Sequence, residues 1–398
     1  MQHAHPAAPD NARLRFAIAI LVVSELFGTS LWFSTNGVAA ELRAALDLSP
    51  AGIGWLTNAT QSGFIAGTLL VALTGLADRF AASRVFFVSC LLGAGANAVF
   101  ALNTQSLAFA VALRFLVGVS LAGIYPLGMK LVVSWTPGRA STTLSLLVAM
   151  LAIGTALPHG VRGVAGALPW QGVVLSSSLL ALVAGATVLW LGDGPHLPSV
   201  GRQPVRLGVA LQAFRVPAFR AAAFGYFGHM WELYAFWALL PFLIVGTLPA
   251  AAASPSIVSL LSFTVIAIGG AGCIAGAALA RRSGSQRVAA VSLAVSGLCC
   301  LLFPPAALAG PMAVLALLLL WGATVVTDSP QFSALSAAAC PPHAVGSALA
   351  LQNAIGFLIS MVSIALASAL LDRWGTQVTW LLLPGPILGV IAILRWRG

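Results

Sequence analysis

Six ionisable side chains lie inside long apolar stretches of this sequence, where burying a charge has a large free-energy cost. They are Glu25, Arg114, Lys130, His229, Glu232 and Asp328. At the centre of a bilayer a charged side chain costs at least about 2.5 to 3.5 kcal/mol, so such residues mark proton relays, solute sites or buried pairs. Each of the six is therefore a candidate for one of these three roles.

Two of these residues, His229 and Glu232, lie three positions apart in one apolar stretch. On a helix this spacing places them on adjoining parts of one face. At about 1.5 Å per residue from Phe219, Glu232 lies about 20 Å into the stretch, close to the mid-depth of a bilayer. We predict that Glu232 is the leading proton-coupling carboxylate and that His229 belongs to the same proton-coupling group.

Asp328 is the second carboxylate predicted to take part in proton coupling. It shares a helix face with Trp321 and Gln331, and Pro330 is expected to kink the helix and free backbone carbonyls. Low-dielectric surroundings suit a carboxylate that loads and unloads a proton, so Asp328 is predicted to be a second proton site or a contact for a cationic solute or basic partner. For Glu232 and Asp328 alike, the alternative is a buried ion pair or hydrogen bond that fixes helix packing.

The other three residues have structural alternatives to a transport role. Glu25 lies 204 positions before His229 and is predicted either to line a cavity or to hold the first span by a hydrogen bond. Arg114 can pair with a carboxylate of a neighbouring span, and Glu25 is the natural partner. Lys130 lies one helical turn beyond Pro126, so its ammonium group can reach the membrane surface.

The rest of the sequence shows which elements position these residues. Of its 398 residues, 60% are apolar and only 7% are charged. Because about 20 apolar residues cross a bilayer as a helix, the chain has room for about twelve spans. Hydropathy places them near residues 16–38, 53–77, 85–103, 107–134, 143–163, 171–192, 219–246, 256–280, 288–305, 312–335, 347–370 and 377–394.

The longest polar interval, residues 193–220, contains four prolines and four arginines. It separates the first six predicted spans from the last six. We therefore predict a six-helix bundle at 1–192, a cytoplasmic linker at 193–218 and a second six-helix bundle at 219–398.

The net charge of +10 does not indicate a nucleic-acid-binding protein, because the basic residues occupy alternate loops and form no continuous stripe. Fourteen arginines fall on one side of the predicted spans, and three (Arg43, Arg162 and Arg373) fall on or near the other. By the positive-inside rule, both termini are cytoplasmic. The predicted location is the inner (plasma) membrane, crossed many times.

The two halves of the sequence repeat one another. Three landmarks of the first half, Gly118, Pro126 and Pro137, recur 204 positions later as Gly322, Pro330 and Pro341. The basic loop at 77–85 recurs at 280–288 with an offset of 203. A constant offset of this size indicates two parallel repeats of one unit.

Two motifs resemble those of the major facilitator superfamily. The loop after the second span preserves the family's Leu-Ala-Asp-Arg core at residues 76–79, with Ala81 where the family has glycine. The fourth span contains the family's Arg-x-x-x-Gly at Arg114 to Gly118. The resemblance covers residues 13–398 and implies an all-α integral membrane protein whose twelve helices form two pseudo-symmetric six-helix bundles. Such bundles rock around a site at the midplane.

The resemblance also implies roles for charged residues. A carboxylate that caps a helix start and pairs with arginines can hold one face closed and then release it. The residues predicted to gate in this way are Asp78, Arg79, Arg84, Arg281, Arg282 and Arg287; the alternative is that the loop arginines only fix topology. In the family the fourth-span arginine is associated with proton transfer or substrate charge, which implies the same for Arg114.

Polar and aromatic residues of the spans complete the predicted solute site, although packing is the commoner role for such residues. The predicted solute-binding residues are Arg114, Lys130, Trp237, Trp321, Gln331, Gln352, Asn353 and Gln61. Their charges have no dominant sign. Nitrate permeases of the family carry an arginine in spans two and eight, and this sequence has none there, so the resemblance implies a different solute.

Three functions fit these residues. The favoured one is proton-driven antiport that exports an amphipathic metabolite or drug, which the carboxylates and aromatic residues support. The second is proton-coupled uptake of a small organic or inorganic anion held by Arg114 or Lys130. The third is a membrane sensor that transports nothing.

The sequence lacks the common motifs of enzyme active sites. The sequence contains no Gly-x-Ser-x-Gly, no His-Glu-x-x-His and no phosphate-binding loop. We therefore predict no enzyme activity, no cofactor and no metal, and we interpret the five cysteines as small packing residues. The predicted partners are a small solute, protons and membrane lipid, with the protein acting as a monomer.

Overall fold

The computed structural model describes residues 11–103, 106–136, 140–166, 168–196, 207–341 and 344–395. Within these ranges the regular structure is entirely helical. The α-helices are α1 (Asn11–Thr29), α2 (Ala39–Leu46), α3 (Pro50–Thr74), α4 (Leu76–Arg79), α5 (Ala82–Asn103), α6 (Leu107–Leu121), α7 (Tyr125–Trp135), α8 (Ala140–Val164), α9 (Trp170–Leu191), α10 (Leu207–Ala213), α11 (Pro217–Val245), α12 (Pro255–Ser283), α13 (Ser285–Ala309), α14 (Pro311–Val325), α15 (Ser329–Ala339), α16 (Val345–Trp374) and α17 (Pro384–Leu394). Short 3-10 helices occupy Asn36–Val38, Ala250–Ala252 and Gly375–Leu381.

Every predicted span coincides with one of these helices or with two consecutive ones. Nine stretches of the described residues are long and apolar enough to cross a membrane. The last of them, Val345–Leu394, contains both α16 and α17. The all-helical membrane architecture is therefore confirmed, while the exact number of twelve crossings stays a prediction.

Three of the predicted spans are interrupted near mid-depth. The first breaks after Thr29, the fourth between α6 and α7, and the tenth between α14 and α15. Pro126 and Pro330 lie in the first turn of α7 and α15, where a residue without an N–H is tolerated. The kink expected at Pro330 matches the tenth interruption. Pro126 gives the fourth interruption a local cause that the sequence analysis did not use, and the first interruption has no proline.

The repeat found in the sequence is also present in the packing. Helices α6 and α14 begin 204 positions apart, as do α7 and α15. A Cβ atom at Gly118 would collide with the carbonyl oxygen of Thr60 on α3, and one at Gly322 would collide with that of Val265 on α12. The pair α12 and α14 therefore repeats the close contact of α3 and α6.

The two halves also contact each other at the end of the helices where α2 lies, which we call the distal end. The Asn58 side chain donates to the Met361 carbonyl over 2.9 Å, which joins α3 to α16. The Arg43 guanidinium lies 5.7 Å from the ring centroid of Phe242 on α11. These contacts link the first half, α1 to α9, to the second half, α11 to α17.

Candidate functional site

Six buried aromatic residues meet where the two halves contact each other, and we call them the central aromatic cluster. Its members are Trp32, Phe33 and Phe64 from the first half and Tyr234, Trp237 and Phe357 from the second. None is more than 6% exposed. Because both halves contribute, any movement of one half against the other changes this cluster.

The rings of the cluster are arranged as stacked and edge-on pairs. Trp32 is nearly parallel to both Tyr234 and Phe357, with ring centroids 5.9 Å apart in each case. Trp237 stands edge-on to Phe33 at 6.0 Å and to Tyr234 at 5.6 Å. Such walls bind flat, apolar or π-rich groups by stacking.

Two side chains at the cluster carry polar atoms that have no hydrogen-bond partner among the described residues. They are Gln61 Nε2 and Trp237 Nε1. Gln61 also accepts a hydrogen bond from the Trp32 indole over 3.0 Å, which ties it to the cluster. Buried polar atoms are nearly always satisfied, so these two atoms need a partner from outside the protein, either water or a bound solute.

Arg114 lies beside this cluster and is completely buried. Its Nε donates to Thr60, its Nη1 to Ser34 and Asn97, and its Nη2 to the carbonyls of Leu31 and Trp32. All five N–H groups of the guanidinium are therefore used. The alternative in which Arg114 pairs with Glu25 is wrong in this structure, and its solute-binding role stays a prediction.

The break in the first span explains this environment. Helix α1 ends at Thr29, so the carbonyls of Leu31 and Trp32 lie in a turn and lack helical partners. The guanidinium of Arg114 satisfies both, over 2.9 and 2.7 Å. Irregular backbone is tolerated at membrane depth only when such partners are present, so Arg114 holds the turn that carries Trp32.

Glu232 lies inside the second half and outside the cluster, and it is 1% exposed. Its Oε1 accepts from the Trp321 indole over 2.6 Å and from the Cys300 thiol over 3.3 Å, and its Oε2 accepts from Ser296 over 2.9 Å. Phe236 stacks on Trp321 with centroids 4.1 Å apart. The carboxyl group thus has three neutral donors and no cation among its contacts.

His229 and Asp328 form the second polar group of this half. Their Nδ1 and Oδ1 atoms lie 2.8 Å apart, and both side chains are at most 1% exposed. Gln331, one helical turn beyond Asp328, is also buried. The sequence predicted Asp328 as a proton site or cation contact, and the structure places the His229 imidazole against it.

Glu25 is completely buried in the first half, and neither of its carboxyl oxygens has a hydrogen-bond partner among the described residues. The carboxyl group packs against Gly128 of α7, where a Cβ atom would collide with it. The alternative in which Glu25 holds the first span by a side-chain hydrogen bond is therefore wrong for this structure. Its proton-coupling role stays a prediction.

The remaining predicted solute-binding residues are dispersed. Trp321 belongs to the Glu232 group, and Gln352 is buried on α16. Lys130 is half-buried on α7, and Asn353 is exposed. The structure therefore brings Gln61 and Trp237 together at the cluster, with Arg114 beside it, and places the other five elsewhere.

The predicted gating arginines lie at the end of the molecule that carries the termini. Arg79, Arg84, Arg281, Arg282 and Arg287 are all exposed there. The side chain of Asp78 lies outside the described part of the structure. Their gating role stays a prediction.

A carboxylate that the sequence analysis overlooked caps the helix after this basic loop. The Asp193 carboxylate accepts from the backbone N–H groups of Ala82 and Ser83 over 3.1 and 2.8 Å. It therefore ties the end of α9 to the start of α5, where the helix dipole favours a negative charge. The sequence offered one signal for this role, because Asp193 is the first acidic residue after the sixth span.

Four members of the central aromatic cluster were also overlooked, namely Phe33, Phe64, Tyr234 and Phe357. Single aromatic residues in apolar spans have no spacing that separates a site from lipid-facing or core positions. Tyr234 offered a weak signal, because the chain has only three tyrosines.

Comparison with known proteins settles the family. The sequence model of the Major Facilitator Superfamily matches residues 19–363. The chain belongs to this superfamily. The resemblance that its motifs indicated is thereby confirmed, and small-solute transport is the activity that this membership supports.

Two individual proteins extend the comparison. The chain is 28% identical over 165 residues to NiaP of Bacillus subtilis (strain 168), provisionally named a niacin/nicotinamide transporter; the match spans 41% of this chain and 40% of that protein. The crystal structure of a point mutant of the nucleoside transporter NupG superposes with a TM-score of 0.70 at 15% identity, covering 96% of this chain and 98% of that one. The second likeness confirms the fold.

Proposed function

We propose that this protein is a proton-coupled transporter of a small solute with a flat aromatic ring, which binds at the central aromatic cluster. The observation that carries the proposal is the position of the cluster at the contact between the halves, beside two unpaired polar atoms. A solute there contacts both halves and binds differently in each conformation. Differential contacts of this kind are what a transport cycle requires.

The relatives support this solute class. The names of NiaP and NupG refer to niacin or nicotinamide and to nucleosides, and each of these compounds contains a flat nitrogen heterocycle. A ring of that size stacks on tryptophan, tyrosine or phenylalanine at centroid distances of about 4.5 to 7 Å. The aromatic walls at Trp32, Tyr234 and Phe357 suit the same chemistry.

Helix α11 supports coupling to protons, because it carries polar residues of the second half as well as two members of the central aromatic cluster. Glu232 and His229 face the interior of the second half, while Tyr234 and Trp237 belong to the cluster. Protonation of Glu232 changes which of its three donors it can accept from, and so changes the packing of α11. We propose Glu232 as the main coupling group, with Asp328, His229 and Glu25 as further proton sites.

The proposal also includes a direction of solute transport. Our favoured cycle is efflux of an amphipathic metabolite or drug in exchange for protons, across the inner membrane with both termini in the cytoplasm. Uptake together with a proton is the alternative cycle. We further propose that Arg79, Arg84, Arg281, Arg282 and Arg287, with Asp78, open and close the cytoplasmic face, and that the protein acts as a monomer.

The test uses purified protein in proteoliposomes that hold a pH-sensitive dye and an imposed pH gradient. A panel of flat aromatic solutes is added, with aliphatic solutes of equal size as controls. The proposal expects a solute-dependent proton flux for aromatic members alone. Proton movement opposite to the solute identifies antiport, and movement with it identifies uptake. Solute movement without protons would overturn the coupling, and binding without movement would identify a sensor.

A further inference from the structure

A pocket at the end of the molecule that carries the termini combines two arginines with an apolar wall. It has a volume of about 300 Å³ and is lined by Ala278, Leu279, Arg281 and Arg282, all from the last two turns of α12. We propose that this pocket binds the phosphate of an anionic phospholipid, whose acyl chains lie along α12. This inference is independent of the proposed solute and of proton coupling.

The side of α12 that carries the pocket is exposed along the whole helix. Ile257, Ile274 and Leu279 are 43, 48 and 58% exposed although their side chains are large and apolar. An exposed apolar strip of this length on a helix that can span a membrane contacts lipid. Arg282 lies three residues beyond Leu279, where the strip ends. A phospholipid here covers Leu279 and presents its phosphate to the arginines, whereas a dissolved anion would contact the arginines alone.

Positive charge accumulates at this end of the second half. The exposed arginines of the α12–α13 loop and of the end of α17 are Arg281, Arg282, Arg287 and Arg395. The Gln286 side chain donates to the Ile393 carbonyl over 3.1 Å, so the end of α17 lies beside the start of α13. Of the described carboxylates of this half, Glu232 and Asp328 are buried in its interior and Asp372 is in the last turn of α16, at the distal end. The described part of the second half therefore provides no counter-ion for these arginines.

The equivalent loop of the first half has acidic residues of its own. With the offset of 203, two arginines of each loop correspond, whereas Arg281 takes the place of Asp78. The Asp193 carboxylate caps the start of α5, whereas the start of α13 has the neutral contact of Gln286 with Ile393. Guanidinium groups bind phosphate by paired, charge-assisted hydrogen bonds. An anionic headgroup is therefore favoured at the loop of the second half over that of the first.

The test measures lipid binding to the purified, full-length protein in a neutral detergent by native mass spectrometry. Phosphatidylglycerol is compared with phosphatidylcholine of the same acyl chains and with glycerol 3-phosphate, a soluble anion that resembles the headgroup. We expect one phosphatidylglycerol to bind at least ten-fold more tightly than either of the others. Equal binding of phosphatidylcholine would show that negative charge is not selected, and equal binding of glycerol 3-phosphate would show a site for dissolved anions. Either result would overturn the inference.

Variants of the two equivalent loops separate this pocket from general attraction to a basic surface. The double variant Arg281→Gln, Arg282→Gln should bind phosphatidylglycerol about 25-fold more weakly, because each arginine near an anionic lipid is worth about five-fold in affinity. The matched control Arg79→Gln, Arg84→Gln removes the same charge from the first half and should change the affinity by less than about two-fold, because salt screens distant charges.

A conservative variant excludes misfolding as the cause of the loss. Arg281→Lys with Arg282→Lys keeps both charges, and lysine also binds phosphate, so this protein should bind phosphatidylglycerol more tightly than the glutamine variant. Unchanged affinity in Arg281→Gln, Arg282→Gln would exclude the pocket as the lipid site. An equal loss in Arg79→Gln, Arg84→Gln would show that only the total charge matters, and it would likewise overturn the inference.

Discussion

Glu232 and Tyr234 project from nearly opposite sides of α11, about 200° apart around the helix axis. Glu232 contacts Trp321, Cys300 and Ser296 within the second half. Tyr234 packs on Trp32 of the first half. A rotation of this one helix would therefore change the proposed proton site and the proposed solute site together.

Removing the charge of Glu232 should uncouple solute movement from protons. In Glu232→Gln the amide keeps an acceptor for Trp321 but can no longer exchange a proton, so solute binding should persist while solute-dependent proton flux falls at least ten-fold. The measurement is the internal pH of proteoliposomes, beside solute affinity. Asp372→Asn is the matched control, because Asp372 is an exposed carboxylate. Full proton flux in Glu232→Gln would exclude Glu232 as the coupling group.

Arg114→Lys should destabilise the first half although the charge is kept. A lysine has three donors in place of five and cannot reproduce the fork that holds Leu31 and Trp32. With hydrogen bonds to charged groups worth about 1.5 to 3 kcal/mol each, the loss of two should cost about 3 to 6 kcal/mol. Thermal unfolding in detergent measures it.

Arg282→Lys provides the control for Arg114→Lys, since Arg282 is exposed at the end of α12. Its midpoint of unfolding should match that of the unmodified protein. Equal midpoints for both variants would show that the turn after α1 does not depend on the Arg114 fork.

Replacing either of two equivalent glycines by alanine should lower the stability of the protein. At Gly118 and Gly322 an added methyl group would collide with the backbone of a neighbouring helix. We expect each alanine variant to lose about 1 to 3 kcal/mol of stability, the usual cost of overpacking. Gly95→Ala is the control, because nothing lies within 4 Å of its Cβ position, and alanine favours the helix. Normal unfolding of Gly118→Ala would contradict the close α3–α6 contact.

The cation–π contact between Arg43 and Phe242 should help to keep the distal end closed. Ser368, which packs against Gly54 at that end, can be replaced by cysteine as a reporter. A membrane-impermeant maleimide should label Ser368→Cys about two- to five-fold faster when Arg43→Ala is added, as loss of about 0.5 to 1 kcal/mol implies. With Arg43→Lys the cation is retained, so Ser368→Cys should still be labelled slowly. Equal labelling rates with Arg43, Arg43→Ala and Arg43→Lys would refute the role of this contact.

The helices of this fold could be predicted from hydropathy because lipid demands long, uninterrupted apolar segments. Even the interruptions at Pro126 and Pro330 had a local cause in the sequence. The interruption after Thr29 had none, since its carbonyls are satisfied by Arg114, 80 or more positions away. Local sequence does not show which distant donor will stabilise a turn.

The candidate site was harder to predict than the helices, because the charged residues that stand out in the sequence lie in the interior of each half. Glu25, Glu232 and Asp328 could be found from their cost in lipid. Phe64 and Phe357 carry no such cost, and only the contact of the two halves shows that they lie together. Complementary faces of separate helices are a tertiary property that single-span periodicity does not encode.

The hydrogen bond from Asn58 to Met361 is the one side-chain hydrogen bond that joins the two halves among the residues described above. Most of the remaining contact consists of aromatic rings, alkyl groups and glycine surfaces. Sliding such surfaces exchanges one set of weak dispersion contacts for another of similar strength. The two conformations should therefore differ little in enthalpy, so that the proposed solute and protons can decide which of them is favoured.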